Sequence, residues 1–139
     1  MQRALAVSLV LWLLGGCGGP GGPPRGAVEG KVTLDGGVIQ SGSITFVPTG
    51  GTQGPASGAA ITEGHYRLAA ADGAVVGSNR VEIYAPHKTG KKVRAPMGNP
   101  GEMTDEIVEM IPPRYNTRST LERDVKPGKN TLDFELTTK

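Results

Sequence analysis

Val28, Gly30, Val32 and Leu34 alternate with Glu29, Lys31 and Thr33, so residues 27–34 carry one apolar and one polar side. The same two-residue period returns at Ile44 and Phe46 in 43–48, and at Tyr66 and Leu68 after GAAIT. It returns again at Val81 and Ile83, between Arg80, Glu82 and Tyr84. Asp35-Gly36-Gly37, TGGTQGPAS, Glu63-Gly64, Asp72-Gly73 and Gly77 punctuate these runs with turn formers. No segment sustains a helical period. A chain of this kind hides its apolar sides only by stacking strands, so the expectation is one all-β domain, an antiparallel sandwich of about seven strands. Glu63-Gly64 predicts a hairpin. Lys126-Pro127-Gly128-Lys129, between STLERDV and NTLDFELT, predicts another, with Leu132, Phe134 and Leu136 on its buried side.

The N-terminus follows a different logic. Arg3 precedes Ala4 to Leu14, which is apolar apart from Ser8. As a helix this stretch rises about 16 Å, half of what a bilayer demands, which fits an export signal and not a spanning anchor. It lacks an Ala-x-Ala end. Leu14-Gly15-Gly16-Cys17 instead resembles the bacterial lipobox, which implies diacylglycerol on Cys17, cleavage before it and acylation of the new amine. Residues 1–16 are then a lipoprotein signal peptide, and residues 17–26 the acylated cysteine with a Gly/Pro tether too poor in side chains to fold. Two or three acyl chains suffice for stable anchoring. Gly18 after the cysteine, in a diderm envelope, directs such a protein to the outer membrane. Cys17 is the only cysteine, so no internal disulfide forms.

The body, residues 27–139, resembles a known family. VEGKVTLDGGVIQSGSITFVP, GAAITEGHYRL and GSNRVEIYAP are similar to the opening strands of carboxypeptidase regulatory-like, transthyretin-like domains. The tail IPPRYNTRSTLERDVKPGKNTLDFEL resembles that of small lipoproteins of the planctomycete type. The resemblance implies a prealbumin-like (transthyretin-like) Greek-key sandwich whose family has no assigned molecular function.

Charge and motifs narrow the chemistry. The formal charge of +2 falls to +1 once Arg3 leaves with the signal, too little for a nucleic-acid partner. His65 and His87 have no carboxylate at zinc-peptidase spacing and no third histidine, and no calcium loop occurs, so no metal and no cofactor is expected. GGTQGP lacks the Gly-Lys-Ser/Thr ending of a phosphate cradle. A serine nucleophile has no recognisable base, and the C-terminus lacks the Tyr-Arg-Gly-Ser motif of the transthyretin-fold hydroxyisourate hydrolase. An isopeptide bond between Lys31 and Asn130 is set aside, because parity puts them on opposite faces.

Two stretches remain as candidates. Residues 87–120 are too long for a hairpin loop. They contain a basic patch, Lys88, Lys91, Lys92 and Arg94, and an acidic group, Glu102, Asp105, Glu106 and Glu109. These either pair to order the excursion, or the basic patch meets anionic headgroups or wall polymers. Arg114, Tyr115, Asn116, Ser119 and Thr120 form either a binding loop or a structural corner around Tyr115. The expected function is a lipid-anchored, non-catalytic β-sandwich of the cell envelope that acts as a structural or protein-interaction module. A polysaccharide-binding module is the alternative, favoured if residues 114–120 and the 49–57 loop meet at one end; an enzyme is the third reading. The oligomeric state is open.

Overall fold

The computed structural model describes residues 21–139, so the signal segment and Cys17 lie outside the described residues. The strands, in order, are β1 (Arg25–Leu34), β2 (Gly37–Val38), β3 (Ser41–Pro48), β4 (Ser57–Thr62), β5 (His65–Leu68) and β6 (Ala74–Val75). They continue with β7 (Gly77–Tyr84), β8 (Pro86–Arg94), β9 (Met103–Glu109), β10 (Glu122–Val125), β11 (Gly128–Thr131) and β12 (Phe134–Leu136). Among the described residues there is no α-helix, only short 3-10 turns at Ala70–Asp72 and Pro113–Tyr115.

β1 organises one layer. It runs parallel to β11 through its first half and to β12 through its second, and takes β6, β5 and β2 antiparallel on its other side. The changeover from β11 to β12 requires Gly30, where a Cβ would sit 1.9 Å from the Leu132 carbonyl oxygen. Asp133 fills the gap in the ladder, its Oδ1 accepting from the Lys31 backbone N–H at 2.8 Å. The second layer runs β10-β7-β3-β4, all antiparallel. The layers join at the expected Glu63-Gly64 hairpin, where both residues have positive φ (50° and 76°) and β4 and β5 share only the pair Thr62 and His65. Beyond that corner they part and curl around one core.

The inward positions are those the period-2 reading picks out. Val28, Val32, Ile44, Phe46, Tyr66, Leu68, Val81, Ile83 and Phe134 are each no more than 3 % exposed. Phe46, Tyr66 and Phe134 meet at centroid separations of 6.1–6.5 Å and tie the layers together. Burying side chains of this size stabilises by about 1.5–3 kcal/mol each.

Three expectations need correction. Residues 126–129 do not close a hairpin: β10 pairs with β7 and β11 with β1, so this turn crosses between layers. Asn130 closes it in place of a ladder, its Oδ1 accepting from Lys126 N–H and its Nδ2 donating to the carbonyls of Lys126 and Ala27, at 2.8–3.0 Å. Leu132 is only half-buried, because it lies in the irregularity opposite Gly30, whereas Phe134 and Leu136 are buried as expected. The folded body also starts earlier than residue 27. β1 begins at Arg25, and Val76 N–H donates to the Pro24 carbonyl at 2.8 Å.

Candidate functional site

The most exposed structured part of the chain is the β8–β9 ribbon. It leaves β7 at Tyr84–Ala85 and returns at Met110–Ile111. Every residue of β8 is exposed, as are Met97, Met103, Ile107, Val108 and Met110, at 42–101 %. Charged and β-branched residues make up most of the strands, and Ala95-Pro96-Met97-Gly98-Asn99-Pro100-Gly101 forms the turn. Glu102 caps the turn, its carboxylate accepting from Asn99 N–H at 2.9 Å. Glu109 pins the base, accepting from Ala85 and Ile111 N–H at 2.8 and 2.9 Å.

The basic patch divides here. Lys88 and Lys92 both reach Asp105, at 2.9 and 2.5 Å. The Lys92 and Lys88 ammonium groups pull the Asp105 carboxyl down to about 2. Lys91 and Arg94 take part in no ion pair among the described residues. The pairing that orders the excursion is thus present, and half of the basic patch stands outside it.

The ribbon springs from the end of the body away from Pro24 and the start of β1. Val76, which precedes β7, is bonded to Pro24, so β7 starts beside the N-terminus of β1. Its eight residues then run about 26 Å to Tyr84. The tether end itself is held by Arg25, whose guanidinium donates to Ser57 Oγ and the Gly73 carbonyl, both at 2.7 Å. Nearby, Asn79 is fully buried, with Nδ2 donating to the carbonyls of Val75 and Gly77. Its Oδ1 has no partner among the described residues.

Residues 114–120 are largely used within the fold. Asn116 is buried, with Nδ2 donating to the Ile111 carbonyl and Oδ1 accepting from Thr117 N–H. Ser119 is buried and donates to the Val81 carbonyl. Arg114 lies over the Tyr115 ring at 4.9 Å and donates to the carbonyls of Thr137 and Lys139. The Tyr115 hydroxyl accepts from Thr137 N–H at 3.3 Å. The Arg114 guanidinium and the Thr137 donors lower the Tyr115 phenol from its ordinary range. Thr120 is exposed. The span joins the C-terminal tail beyond β12, whereas the 49–57 loop lies beside the start of β7, with Thr49 N–H on the Ser78 carbonyl. These two segments therefore sit at opposite ends of the body, and the condition favouring a polysaccharide site is not met.

A shallow groove of about 500 Å³ crosses the outer face of β4, β5 and β1. Lys31, His65, Arg67, Glu29 and Asp133 line it, with the Tyr66 edge, whose phenol is raised mainly by burial and donates to the Leu132 carbonyl at 2.7 Å. His65 shares this groove with two carboxylates, yet neither His65 nor His87 is in an ion pair. Among the described residues, no group of three or more His, Cys, Asp or Glu could hold a metal ion. No described helix is long and apolar enough to cross a membrane. Asn130 is committed to its turn, and Lys31 pairs with His65 on the outer face.

Sequence reasoning missed the apolar positions of the ribbon, because its charges drew attention first. The one local signal is the Pro/Gly turn between HKTGKKVR and MTDEIVEM; neither segment alternates, and the adjacent Ile107 and Val108 point to opposite faces. Comparison adds no relative to this geometry, since no family model, no curated protein and no solved structure matches the chain.

Proposed function

We propose that this chain is an acylated lipoprotein of the cell envelope whose body is a non-catalytic protein-interaction module presenting the β8–β9 ribbon. Diacylglycerol on Cys17 holds it to the membrane, and residues 17–24 span at most about 29 Å when extended. The body is a prealbumin-like Greek-key sandwich. Supporting that reading are the two layers β5-β1-β11/β12 and β10-β7-β3-β4, with first and last strands parallel.

One observation carries the proposal: a two-stranded ribbon with exposed Met97, Met103, Ile107 and Val108 leaves the body at the end opposite the tether. Exposed apolar side chains gathered on one projection favour a docked partner. Headgroup binding by the basic patch is disfavoured, because the patch belongs to the end farther from the lipid. Asp105 also holds two of its lysines and neutralises one of its four charges.

Excising residues 87–108 and joining Pro86 to Glu109 through Asn-Gly tests this. The variant should keep its membrane partition and cooperative unfolding, and lose the crosslinked protein species seen with the full chain in its envelope. Crosslinked species that survive excision unchanged would refute the ribbon as the docking element.

A further inference from the structure

The two faces of the ribbon differ in what they leave unspent. Lys88 and Lys92 share a face with Arg94, Asp105, Met103 and Ile107; the one Asp105 carboxylate is divided between the two lysines, so this face keeps an excess of positive charge that opposes stacking on a copy of itself. The other face, by register and alternation, carries His87, Lys91 and Val93 from β8, with Glu106 and Val108 from β9. It is poor in lysine, and Val93 and Val108 are 36 % and 48 % exposed. Lys91 makes no ion pair. Among the described residues Glu106 accepts only the Thr89 hydroxyl, at 2.5 Å, and meets no cation. One free cation and one free anion thus stand on opposite strands at the same height, since Glu106 lies opposite the bulge between Lys88 and Lys92.

We propose that this face is an interface with a second copy of the same chain, packed face to face about a two-fold axis running along the ribbon. The inference rests on the ribbon being a docking element and names what docks there. Such an axis lays β8 of each copy over β9 of the other. His87 then meets Val108, and Lys91 of each copy meets Glu106 of the other, so the pair forms twice. The axis leaves the ribbon direction unchanged, and both tethers reach the same membrane. An axis across the strands would set Lys91 against Lys91 and send the tethers opposite ways. Pairing through the β8 edge is hindered by its lysines and bulge. The face is small beside a standard interface of about 800 Å² per partner, so the dimer depends on the high effective concentration of tethered copies.

The test uses the full-length protein in its own membrane, as two differently tagged copies bearing His87→Cys and Val108→Cys. A short bis-maleimide suits the spacing of about 10 Å between packed β layers. The expected product is the mixed dimer. The parent pair, with Cys17 as its sole cysteine, and a pair carrying Lys129→Cys at the other end of the body should not give it. Lys91→Glu or Glu106→Lys alone should cut the yield about tenfold, and the two together should restore it. Absence of the mixed dimer, or a yield indifferent to the charge reversals, overturns the proposal. If the ribbon docks on a different protein, the 87/108 pair stays silent while ribbon excision still removes that protein's crosslink, so the two readings fail separately.

Discussion

Asp105 is the residue on which the ribbon's order turns. Its carboxylate holds Lys88 and Lys92 across a register shift that would otherwise leave β8 loosely paired. Because its folded pKa is about 2, below the ordinary 3.9 of an aspartate, its contribution is complete above pH 4. It is lost as the pH falls from 4 toward 2. A carboxyl titration followed by NMR should therefore show a midpoint near 2, returning to about 3.9 in a Lys88→Met, Lys92→Met double variant. A midpoint near 3.9 in the parent protein would mean that the two lysines do not hold it. Among the other polar residues of note, Asn79, Asn116 and Ser119 donate to backbone carbonyls, and Arg25 to the Gly73 carbonyl and the Ser57 hydroxyl, so all four serve the fold.

At the scale of elements, the turn from β10 to β11 shows what local pattern can and cannot convey. Lys126-Pro127-Gly128-Lys129 reverses the chain, but the strands on either side belong to different layers. The carboxamide of Asn130, not a ladder, closes the turn. Asn130→Ala leaves the Lys126 N–H and the Ala27 and Lys126 carbonyls without their partner. It should cost about 2–4 kcal/mol in urea unfolding, against under 0.5 kcal/mol for the exposed neighbour Lys129→Ala. Equal, small losses would contradict this role for Asn130. Strand faces were legible because burial on one side fixes parity at Ile44, Phe46, Tyr66, Leu68, Val81 and Ile83. Strand partners were not, because β1 chooses β11 and β12 from about a hundred residues away, through a close approach at Gly30 that no local pattern announces. The start of β1 at Arg25 escaped for a similar reason: its partners, Ser57 and Gly73, are distant in sequence. Of the candidate site, the charged residues of the ribbon were visible and its apolar ones were passed over. For the 114–120 span the sequence leaves a binding loop and a structural corner around Tyr115 both open, because the bonds that decide, to Val81 and to the C-terminal tail, are long-range.

For the whole molecule, two features at opposite ends define the account. At one end a glycine- and proline-rich segment leads from Cys17 to the point where Pro24 and Arg25 dock; at the other, the ribbon stands clear of the body. On the proposed reading, a lipid on Cys17 turns that polarity into an orientation, with the body near the membrane and the ribbon presented to whatever shares its surface. The most direct measurement is the intact and N-terminal peptide mass of the protein purified from membranes. The account predicts a chain beginning at Cys17, with diacylglyceryl on sulfur and an acyl group on the amine. A chain beginning upstream, or one with an unmodified Cys17 thiol, would contradict it.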